Sequence, residues 1–136
     1  MIVLDACAWV GAVVSRGPIG DATREVLRND VAWAAPSHMP VEVLRALQSG
    51  YRSGQISGAD AKRHAEVITL AEIDYALPRR SLLAHVWSIK DVVSLYDAPY
   101  VSLALERDVP LVTLDRRFGR AARSLGAKVV VPGETS

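Results

Sequence analysis

The sequence predicts an α/β fold with a central parallel sheet of about five strands and helices on both faces. Short apolar runs, followed by polar or turn-forming residues, alternate with longer segments whose apolar residues recur at helical spacing. Strands that alternate with helices form βαβ units, and the strands of such units are parallel. The chain has 136 residues and no linker, repeat or low-complexity segment. One domain over residues 1–136 is therefore expected.

Five short runs are the predicted strands. The first, Ile2-Val3-Leu4, is apolar at successive positions, which is typical of a strand buried on both faces. The third run instead alternates apolar and charged residues, as a half-buried strand does. The predicted strands cover residues 2–4, 31–35, 71–75, 111–114 and 128–131.

Helix signals occupy the segments between these runs. Pro18 and Pro99 suit the first turn of a helix, where the N–H that proline lacks has no partner. Ser57, with an acid three residues later, has the pattern of an N-cap. Gly50 and Gly126 are expected to end helices. The predicted helices cover residues 6–14, 18–29, 39–49, 81–93 and 115–125, and two more begin at Ser57 and near Pro99.

The composition is that of a folded domain without an overall electrostatic preference. Half of the residues are hydrophobic (50%) and 23% are charged, which argues against a disordered chain. The formal net charge of +1 gives no field that would attract nucleic acid or an anionic membrane, so a polyanion must meet a local patch. Thirteen of the sixteen cationic residues are Arg, the side chain suited to bidentate phosphate contacts.

The cysteine content and the first residues predict a cytoplasmic protein. Cys7 is the single cysteine and cannot form an internal disulfide, which fits a reducing compartment. The chain reaches Asp5 without the basic start of a signal peptide, and Arg16 interrupts the first apolar stretch. Neither secretion nor membrane insertion is expected.

Four acids lie where predicted strands end or predicted helices begin. Asp5 follows the first strand, Asp115 follows the fourth, and Glu42 and Asp97 lie in first turns of helices. In parallel α/β folds, ligands bind outside the carboxyl ends of the strands. Carboxylates gathered there repel one another unless a cation joins them, and Mg²⁺ prefers oxygen ligands. Such a site suits phosphodiester hydrolysis, in which a metal generates hydroxide and neutralises charge on the reacting oxygens.

The same four positions also have a purely structural explanation. Asp5 and Asp115 could be helix N-caps, and Glu42 and Asp97 could be favoured by helix dipoles. Position alone leaves both explanations open.

Four segments around these acids resemble the four acidic motifs of PIN domains, in the order of the family. They are Ile2-Val3-Leu4-Asp5-Ala6-Cys7-Ala8, Pro40-Val41-Glu42-Val43-Leu44, Tyr96-Asp97-Ala98-Pro99-Tyr100 and Leu111-Val112-Thr113-Leu114-Asp115-Arg116-Arg117-Phe118. The resemblance extends from Ile2 to about Val131. Within PIN domains the chain resembles the VapC-type toxins of VapBC toxin–antitoxin pairs.

The resemblance implies a metal-dependent endoribonuclease that hydrolyses phosphodiester bonds in single-stranded or looped RNA. Asp5, Glu42, Asp97 and Asp115 would form its acidic quartet. Asp5 and Asp97 would be the closest ligands of Mg²⁺ or Mn²⁺, and Glu42 and Asp115 would complete the shell or orient water. Thr113, two residues before the last acid, could donate a hydrogen bond to a carboxylate.

The resemblance also implies two protein partners. One is a second copy of the chain in a homodimer, and the other is a cognate VapB-type antitoxin. An antitoxin Arg or Lys would occupy the negative site in place of the metal. Apolar surface near Trp9 would bind an amphipathic helix of that antitoxin.

Cys7 departs from the family pattern, which generally has Ser or Thr two residues after the first Asp. If that hydroxyl orients a metal-bound water, a thiol is a poor substitute because it is a weak hydrogen-bond donor. The departure predicts that activity is weaker with Cys7 than with a hydroxyl at this position.

Other polar and aromatic residues have simpler explanations. Arg116, Arg120 and Arg123 share a helical face and could contact RNA phosphates, although a solvated face is the preferred explanation. The three histidines have no common metal-ligand spacing and are expected to be surface or packed side chains: His38, His64 and His85. Four large aromatic residues are expected in the core or an interface: Trp9, Trp33, Trp87 and Phe118.

Three other functions fit the sequence less well than a nuclease does. A receiver-like signalling domain needs a phosphoacceptor Asp after a central strand and a Lys after the last strand, but Lys128 precedes the last predicted strand. A nucleotide-binding module needs a Gly-rich phosphate loop, which the sequence lacks. A catalytically inactive PIN-like binding module is disfavoured by the four intact acids.

Overall fold

A five-stranded parallel sheet forms the centre of the molecule. The computed structural model describes residues 1–134. The strand order in the sheet is β3-β2-β1-β4-β5, and every neighbouring pair is parallel. The strands are β1 (Ile2–Leu4), β2 (Trp33–Pro36), β3 (Asp74–Ala76), β4 (Leu111–Val112) and β5 (Val129–Val130). The predicted α/β class and parallel sheet are confirmed.

Helices connect each strand to the next along residues 1–134. They are α1 (Ala6–Val14), α2 (Pro18–Arg28), α3 (Met39–Arg52), α4 (Gly58–Leu70), α5 (Arg80–Ser88), α6 (Ala98–Arg107) and α7 (Arg116–Ser124). Pro18 and Pro99 lie in first turns, as predicted. The Ser57 hydroxyl accepts a hydrogen bond from the backbone N–H of Asp60 and caps α4, also as predicted.

The core surrounds β1 on both sides of the sheet. Val3 and Leu4 have no exposed surface, and since successive strand side chains point to opposite faces, both faces are covered. Helix α6 packs on β1, β2 and β4 and contributes the fully buried Tyr100 and Leu103. This packing fixes the first turn of α6 beside the carboxyl ends of the central strands.

Two predicted strands began too early. Val31 lies outside β2 and is fully exposed, because the side chain of Asp30 accepts a hydrogen bond from the backbone of Ala32 and forms a turn there. In the third run, the N–H of Ile73 donates to the carbonyl of Ala71 in a tight turn. Only the last two residues of that run therefore belong to β3, which continues to Ala76.

Helix ends also differ from the sequence-based expectations. Gly50 does not end α3, which continues to Arg52 and is followed by Gly54 with a φ of 80°, the left-handed conformation that glycine adopts freely. Helix α5 ends at Ser88, and residues 89–93 form successive turns in place of the last part of the segment predicted as mostly helical. Within residues 1–134, no helix combines the length and apolar character needed to span a bilayer.

Candidate active site

The candidate site lies where the strand order of the sheet reverses. β1 pairs with β2 on one side and with β4 on the other, so the chain leaves the two central strands in opposite directions. A crevice forms at such a point, outside the carboxyl ends of the strands. Asp5 directly follows β1, and Asp115 lies three residues beyond β4.

Asp5 is a buried carboxylate held by two side chains. It is 7% exposed, and its Oδ2 accepts hydrogen bonds from Thr113 Oγ1 at 2.7 Å and Cys7 Sγ at 3.1 Å. Although Asp5 occupies the N-cap position of α1, its side chain makes no capping hydrogen bond. Burial raises the pKa of Asp5 to about 6, and the negative charges of Asp97 and Glu42 act in the same direction.

Cys7 is part of the support of Asp5. Burial and the nearby Asp5 charge raise the pKa of the Cys7 thiol to about 12, so the thiol stays protonated and donates to the carboxylate. The sulfur in turn accepts from the backbone N–H of Leu114 at 3.4 Å. The residue thus occupies the expected hydroxyl position with a weaker donor.

Glu42 is held from two sides on the first turn of α3. Its Oε1 accepts a 2.6 Å hydrogen bond from the buried hydroxyl of Tyr100 and lies 3.2 Å from His38 Nε2. His38 Nε2 also lies 2.9 Å from the carbonyl oxygen of Tyr96, and since both of these neighbours are acceptors, this nitrogen carries a proton. Burial disfavours the ionised form, but the hydrogen bonds from His38 and Tyr100 outweigh it and lower the pKa of Glu42.

Asp97 lies among the other three acids, and the four together are called the acid cluster: Asp5, Glu42, Asp97 and Asp115. Asp97 is half-buried at the N-cap position of α6 and makes no capping hydrogen bond with its side chain. Burial raises its pKa, a hydrogen bond with Ser94 opposes this, and the charges of Glu42 and Asp115 raise the pKa further. Asp97 also raises the pKa of Asp5. The charges of Glu42 and Asp115 thus act on Asp97, and the charges of Asp97 and Glu42 act on Asp5.

Asp115 combines a capping role with its position in the cluster. Its Oδ1 accepts a 3.0 Å hydrogen bond from the backbone N–H of Phe118 and caps α7. The N-cap explanation thus holds for one oxygen of Asp115 but not for Asp5, whose side chain does not cap α1. Glu42 and Asp97 lie in the first turn and at the N-cap of their helices, where the helix dipole also favours an acid.

The four predicted acids lie at the carboxyl ends of the central strands and at the starts of the nearby helices. Several of their neighbours were not predicted. His38 was expected to be a plain surface or packed residue and instead contacts Glu42. Its position four residues before Glu42 was a usable signal, because residues i and i+4 share a helix face. The hydrogen bond from Tyr100 to Glu42 joins α6 to α3, so no local spacing could reveal it.

Of two predictions about partner surfaces, the one for Trp9 is wrong and the one for the α7 arginines stays a prediction. The Trp9 ring is buried and packs edge-on against Trp33 at 6.0 Å, so it cannot line an exposed groove. Of the three arginines predicted on the α7 face, Arg123 pairs with Glu134 at 3.1 Å. Arg116 and Arg120 are exposed.

Two cavities border the acid cluster, one lined by Glu42 and the other by Asp97 and Asp115. The α3 cavity has a volume of about 550 Å³ and is lined by one face of α3, including His38, Glu42 and Arg45, together with Tyr96. The α7 cavity has a volume of about 340 Å³. It is lined by residues before α6 and in α7: Val92, Val93, Ser94, Asp97, Asp115, Arg117, Phe118 and Ala121.

Comparison with known proteins gives the family. The model of the PIN domain matches residues 2–124, which include all four acids. The chain therefore belongs to the PIN-domain family. It is 33% identical over 120 residues to the ribonuclease VapC1 of Mycobacterium tuberculosis, covering 88% of this chain and 89% of VapC1. Within the family it thus groups with the VapC ribonucleases.

Solved structures agree on the fold. The sarcin–ricin loop cleaving toxin VapC20 of Mycobacterium tuberculosis has a TM-score of 0.72 at 15% identity, covering 97% of this chain and 100% of that one. A toxin–antitoxin complex from Klebsiella pneumoniae gives a TM-score of 0.68 at 14% identity, covering 99% of this chain and 100% of that one. At these identities the likeness concerns the fold alone.

Proposed function

We propose that this protein is a metal-dependent endoribonuclease that hydrolyses RNA phosphodiester bonds through Asp5, Glu42, Asp97 and Asp115. The observation that carries the proposal is the position of these acids at the carboxyl ends of the central strands, around the buried Asp5. Burial raises the pKa of Asp5, and the charges of Asp97 and Glu42 raise it further. Mutually repelling carboxylates at the edge of a folded core cost stability unless they serve a cation or a reacting group. Membership of the PIN-domain family supports the same function.

The donor chemistry of the cluster fits a hard divalent cation. Within residues 1–134, no group of three or more His, Cys, Asp or Glu side chains is positioned to hold a metal by itself. The support for Mg²⁺ or Mn²⁺ is the carboxylate oxygens of the acid cluster, since Mg²⁺ is commonly held by one or two carboxylates, several waters and a substrate phosphate. Asp5 and Asp97 are the proposed ligands. When bound, the ion would lower the pKa of a water molecule and neutralise charge on the reacting phosphate.

The surrounding residues prepare the carboxylates for this role. Thr113 and Cys7 hold one oxygen of Asp5, while Tyr100 and His38 hold one oxygen of Glu42. Hydrogen bonds of this kind orient a carboxylate and leave its second oxygen for a cation or water. Because its pKa is lowered, Glu42 is ionised at neutral pH and can accept a proton from a water molecule that it orients.

RNA cleavage with controlled metal content tests the proposed function. The purified chain is incubated with total RNA of its host in Mg²⁺, in Mn²⁺ or in EDTA, and new 5′ ends are mapped by sequencing. We expect discrete cleavage sites with either metal, and none with EDTA or with Asp97→Asn. Asp91→Asn is a matched control, because the Asp91 side chain is 89% exposed and pairs with Lys90 outside the cluster. Absence of cleavage under all conditions would favour a PIN-like binding module.

The proposed function includes a toxin role with a cognate VapB-type antitoxin. The support is the similarity to VapC proteins and to the fold of a toxin–antitoxin complex. An antitoxin Arg or Lys in the acid cluster would neutralise the same charges as the metal. Co-expression with the product of the neighbouring reading frame should yield a complex whose RNase inhibition weakens as Mg²⁺ or Mn²⁺ is titrated in. Harmless overexpression of the free chain without such a complex would contradict the toxin role.

A homodimer is the other proposed assembly. Helix α5 and the segment before it expose large apolar side chains, with Leu77, Leu83 and Trp87 at 71%, 49% and 62% exposure. Exposed apolar groups of this size on neighbouring segments are typical of an interface. Light scattering coupled to size exclusion should give the mass of two chains, and Trp87→Lys should shift it toward one.

A further inference from the structure

The geometry points to Arg45 and Arg117 as the two residues that bind the RNA phosphates on either side of the phosphate being cleaved. This inference rests on the proposed function and adds the path of the substrate across the site. On the proposed path, the RNA strand enters one of the two cavities beside the acid cluster, crosses the carboxylates and leaves through the other cavity.

The charge of the cluster creates the need for such residues. RNA carries a negative charge at every phosphate, and the four carboxylates of the acid cluster repel these phosphates. A cation bound at the cluster can offset the charge at the phosphate being cleaved but not at the neighbouring phosphates. Arginine next to the cluster would hold those phosphates, because its guanidinium donates paired hydrogen bonds to phosphate oxygens.

Each cavity is lined by at least one acid of the cluster and by one arginine. The α3 cavity joins Glu42 to Arg45, and the α7 cavity joins Asp97 and Asp115 to Arg117. Both arginines are exposed to solvent. An RNA strand that crosses the acid cluster from one cavity to the other therefore passes one guanidinium before the carboxylates and one after them.

Neither guanidinium is committed to a partner within the protein. In the part of the chain that the structure describes, five arginines form salt bridges within 4.0 Å: Arg24, Arg63, Arg79, Arg107 and Arg123. Over the same residues, Arg45 and Arg117 form none. Arg45 acts on Glu42 only through its charge, which helps to lower the pKa of that carboxyl.

The chain offers a matched control for each arginine. Arg116 precedes Arg117 in the first turn of α7 and is also exposed, but it does not line the α7 cavity. The proposed path therefore assigns the phosphate contact to Arg117 and not to Arg116, which the sequence had made a candidate. Arg52 lies on α3 two turns beyond Arg45, is exposed, and does not line the α3 cavity. General loss of positive charge would affect all four residues alike, whereas the proposed path involves only Arg45 and Arg117.

The test measures RNA binding separately from cleavage. A fluorescent 12-nucleotide single-stranded RNA of random sequence is titrated with Asp97→Asn protein that also carries Arg45→Gln, Arg117→Gln, Arg52→Gln or Arg116→Gln, from 50 to 300 mM KCl. We expect Arg45→Gln and Arg117→Gln each to weaken binding by about 3- to 10-fold at low salt. Each should also reduce the slope of log K against log salt by about 0.7, the contribution of one phosphate contact in a single strand. The two controls should leave the slope unchanged.

Cleavage kinetics with the four single variants in otherwise wild-type protein complete the test. Arg45→Gln and Arg117→Gln should raise KM more than they lower kcat, because contacts to flanking phosphates are made equally before and in the transition state. Equal salt slopes for all four variants would overturn the inference even if the protein cleaves RNA. Conversely, the expected slopes without any cleavage by wild type would remove the nuclease function while leaving an RNA-binding path. Weaker antitoxin binding with unchanged RNA binding would assign the two cavities to the protein partner and also overturn the inference.

Discussion

Thr113 Oγ1 donates a 2.7 Å hydrogen bond to Asp5 Oδ2, and it does so directly beyond the paired residues of β1 and β4. The register pairs Leu4 with Val112, the last residues of β1 and β4. The residues that follow these two strands are Asp5 and Thr113. The same hydroxyl accepts from the backbone N–H of Asp115 at 3.1 Å. One buried hydroxyl thereby links the first and last acids of the cluster. The sequence predicted that Thr113 could donate a hydrogen bond to one carboxylate.

Replacing Thr113 by Val keeps the shape and removes that link. Loss of the hydrogen bond to the buried carboxylate should destabilise the fold by about 1 to 3 kcal/mol and raise the pKa of Asp5 further. Urea denaturation measures the first effect, and NMR titration of the Asp5 carboxyl measures the second. Thr113→Ser retains the hydroxyl and should stay close to wild type in both. An unchanged Asp5 pKa in Thr113→Val would show that the hydroxyl has no influence on the cluster.

Asp5→Asn should abolish RNA cleavage while the melting temperature holds or rises. Burial raises the pKa of Asp5 from 3.8 to about 6, so the folded protein binds a proton more tightly than the unfolded chain does. For an acid with a raised pKa, the stability of the fold decreases as pH rises from about 4 to about 6 and stays reduced above that range. The difference corresponds to about 3 kcal/mol at neutral pH. Asn carries no charge and avoids this cost.

Thermal unfolding between pH 4 and pH 8 checks the sign of this effect. The melting temperature of Asp5→Asn, relative to wild type, should rise through the interval from about 4 to about 6 and then level off. Asp97→Asn should show the same direction, because the pKa of Asp97 is also raised. A relative stability that falls over this interval would mean that the ionised acids stabilise the fold, contrary to their burial.

Cys7→Ser should keep or increase RNA cleavage. The thiol donates a weak hydrogen bond to Asp5 at 3.1 Å, and a hydroxyl in the same place is a stronger donor. Initial rates on one mapped RNA site compare wild type, Cys7→Ser and Cys7→Ala, the last of which has no donor. The expected order places Ala lowest. A folded Cys7→Ser protein without activity would show that the sulfur has a role other than supporting Asp5.

Tyr100→Phe should lower the cleavage rate by about 10- to 100-fold, as loss of a group that orients an active-site carboxylate typically does. The Tyr100 hydroxyl is buried and donates to Glu42 at 2.6 Å. Tyr51→Phe is the control, because Tyr51 is 56% exposed on α3 and away from the cluster. Circular dichroism verifies that both variants fold. Equal rates for Tyr100→Phe and wild type would exclude a role of this hydroxyl in positioning Glu42.

The sequence predicted the fold class and the positions of the acids because both depend on local patterns. A strand of three apolar residues ended by Asp5, or a proline two residues after Asp97, can be recognised without knowing what packs nearby. Strand boundaries were less accurate. Whether Val31 joins β2 depends on the turn formed by Asp30. Apolar character alone does not show whether a residue belongs to the strand or to the turn before it.

The contacts around the acids could be predicted only in part. Thr113 lies close in sequence to Asp115, which suggested a carboxylate partner, yet the identity of that partner depends on the pairing of β1 with β4. Tyr100 contacts Glu42 because α6 packs across the sheet toward α3. Arg117 lines the α7 cavity and Arg116 does not, because consecutive residues point in different directions around a helix. Which of these directions faces the cavity depends on the fold and not on sequence spacing.

The most direct measurement of the proposed metal site is the anomalous scattering of Mn²⁺ in crystals of this protein. Crystals soaked in Mn²⁺ should show a strong peak within coordination distance of carboxylate oxygens of Asp5 and Asp97. Crystals of Asp97→Asn treated in the same way should lose the peak while Glu42 keeps its contact with Tyr100. A wild-type map with no peak at these acids, from crystals of protein that cleaves RNA in the same Mn²⁺ buffer, would contradict the central role assigned to Asp5 and Asp97.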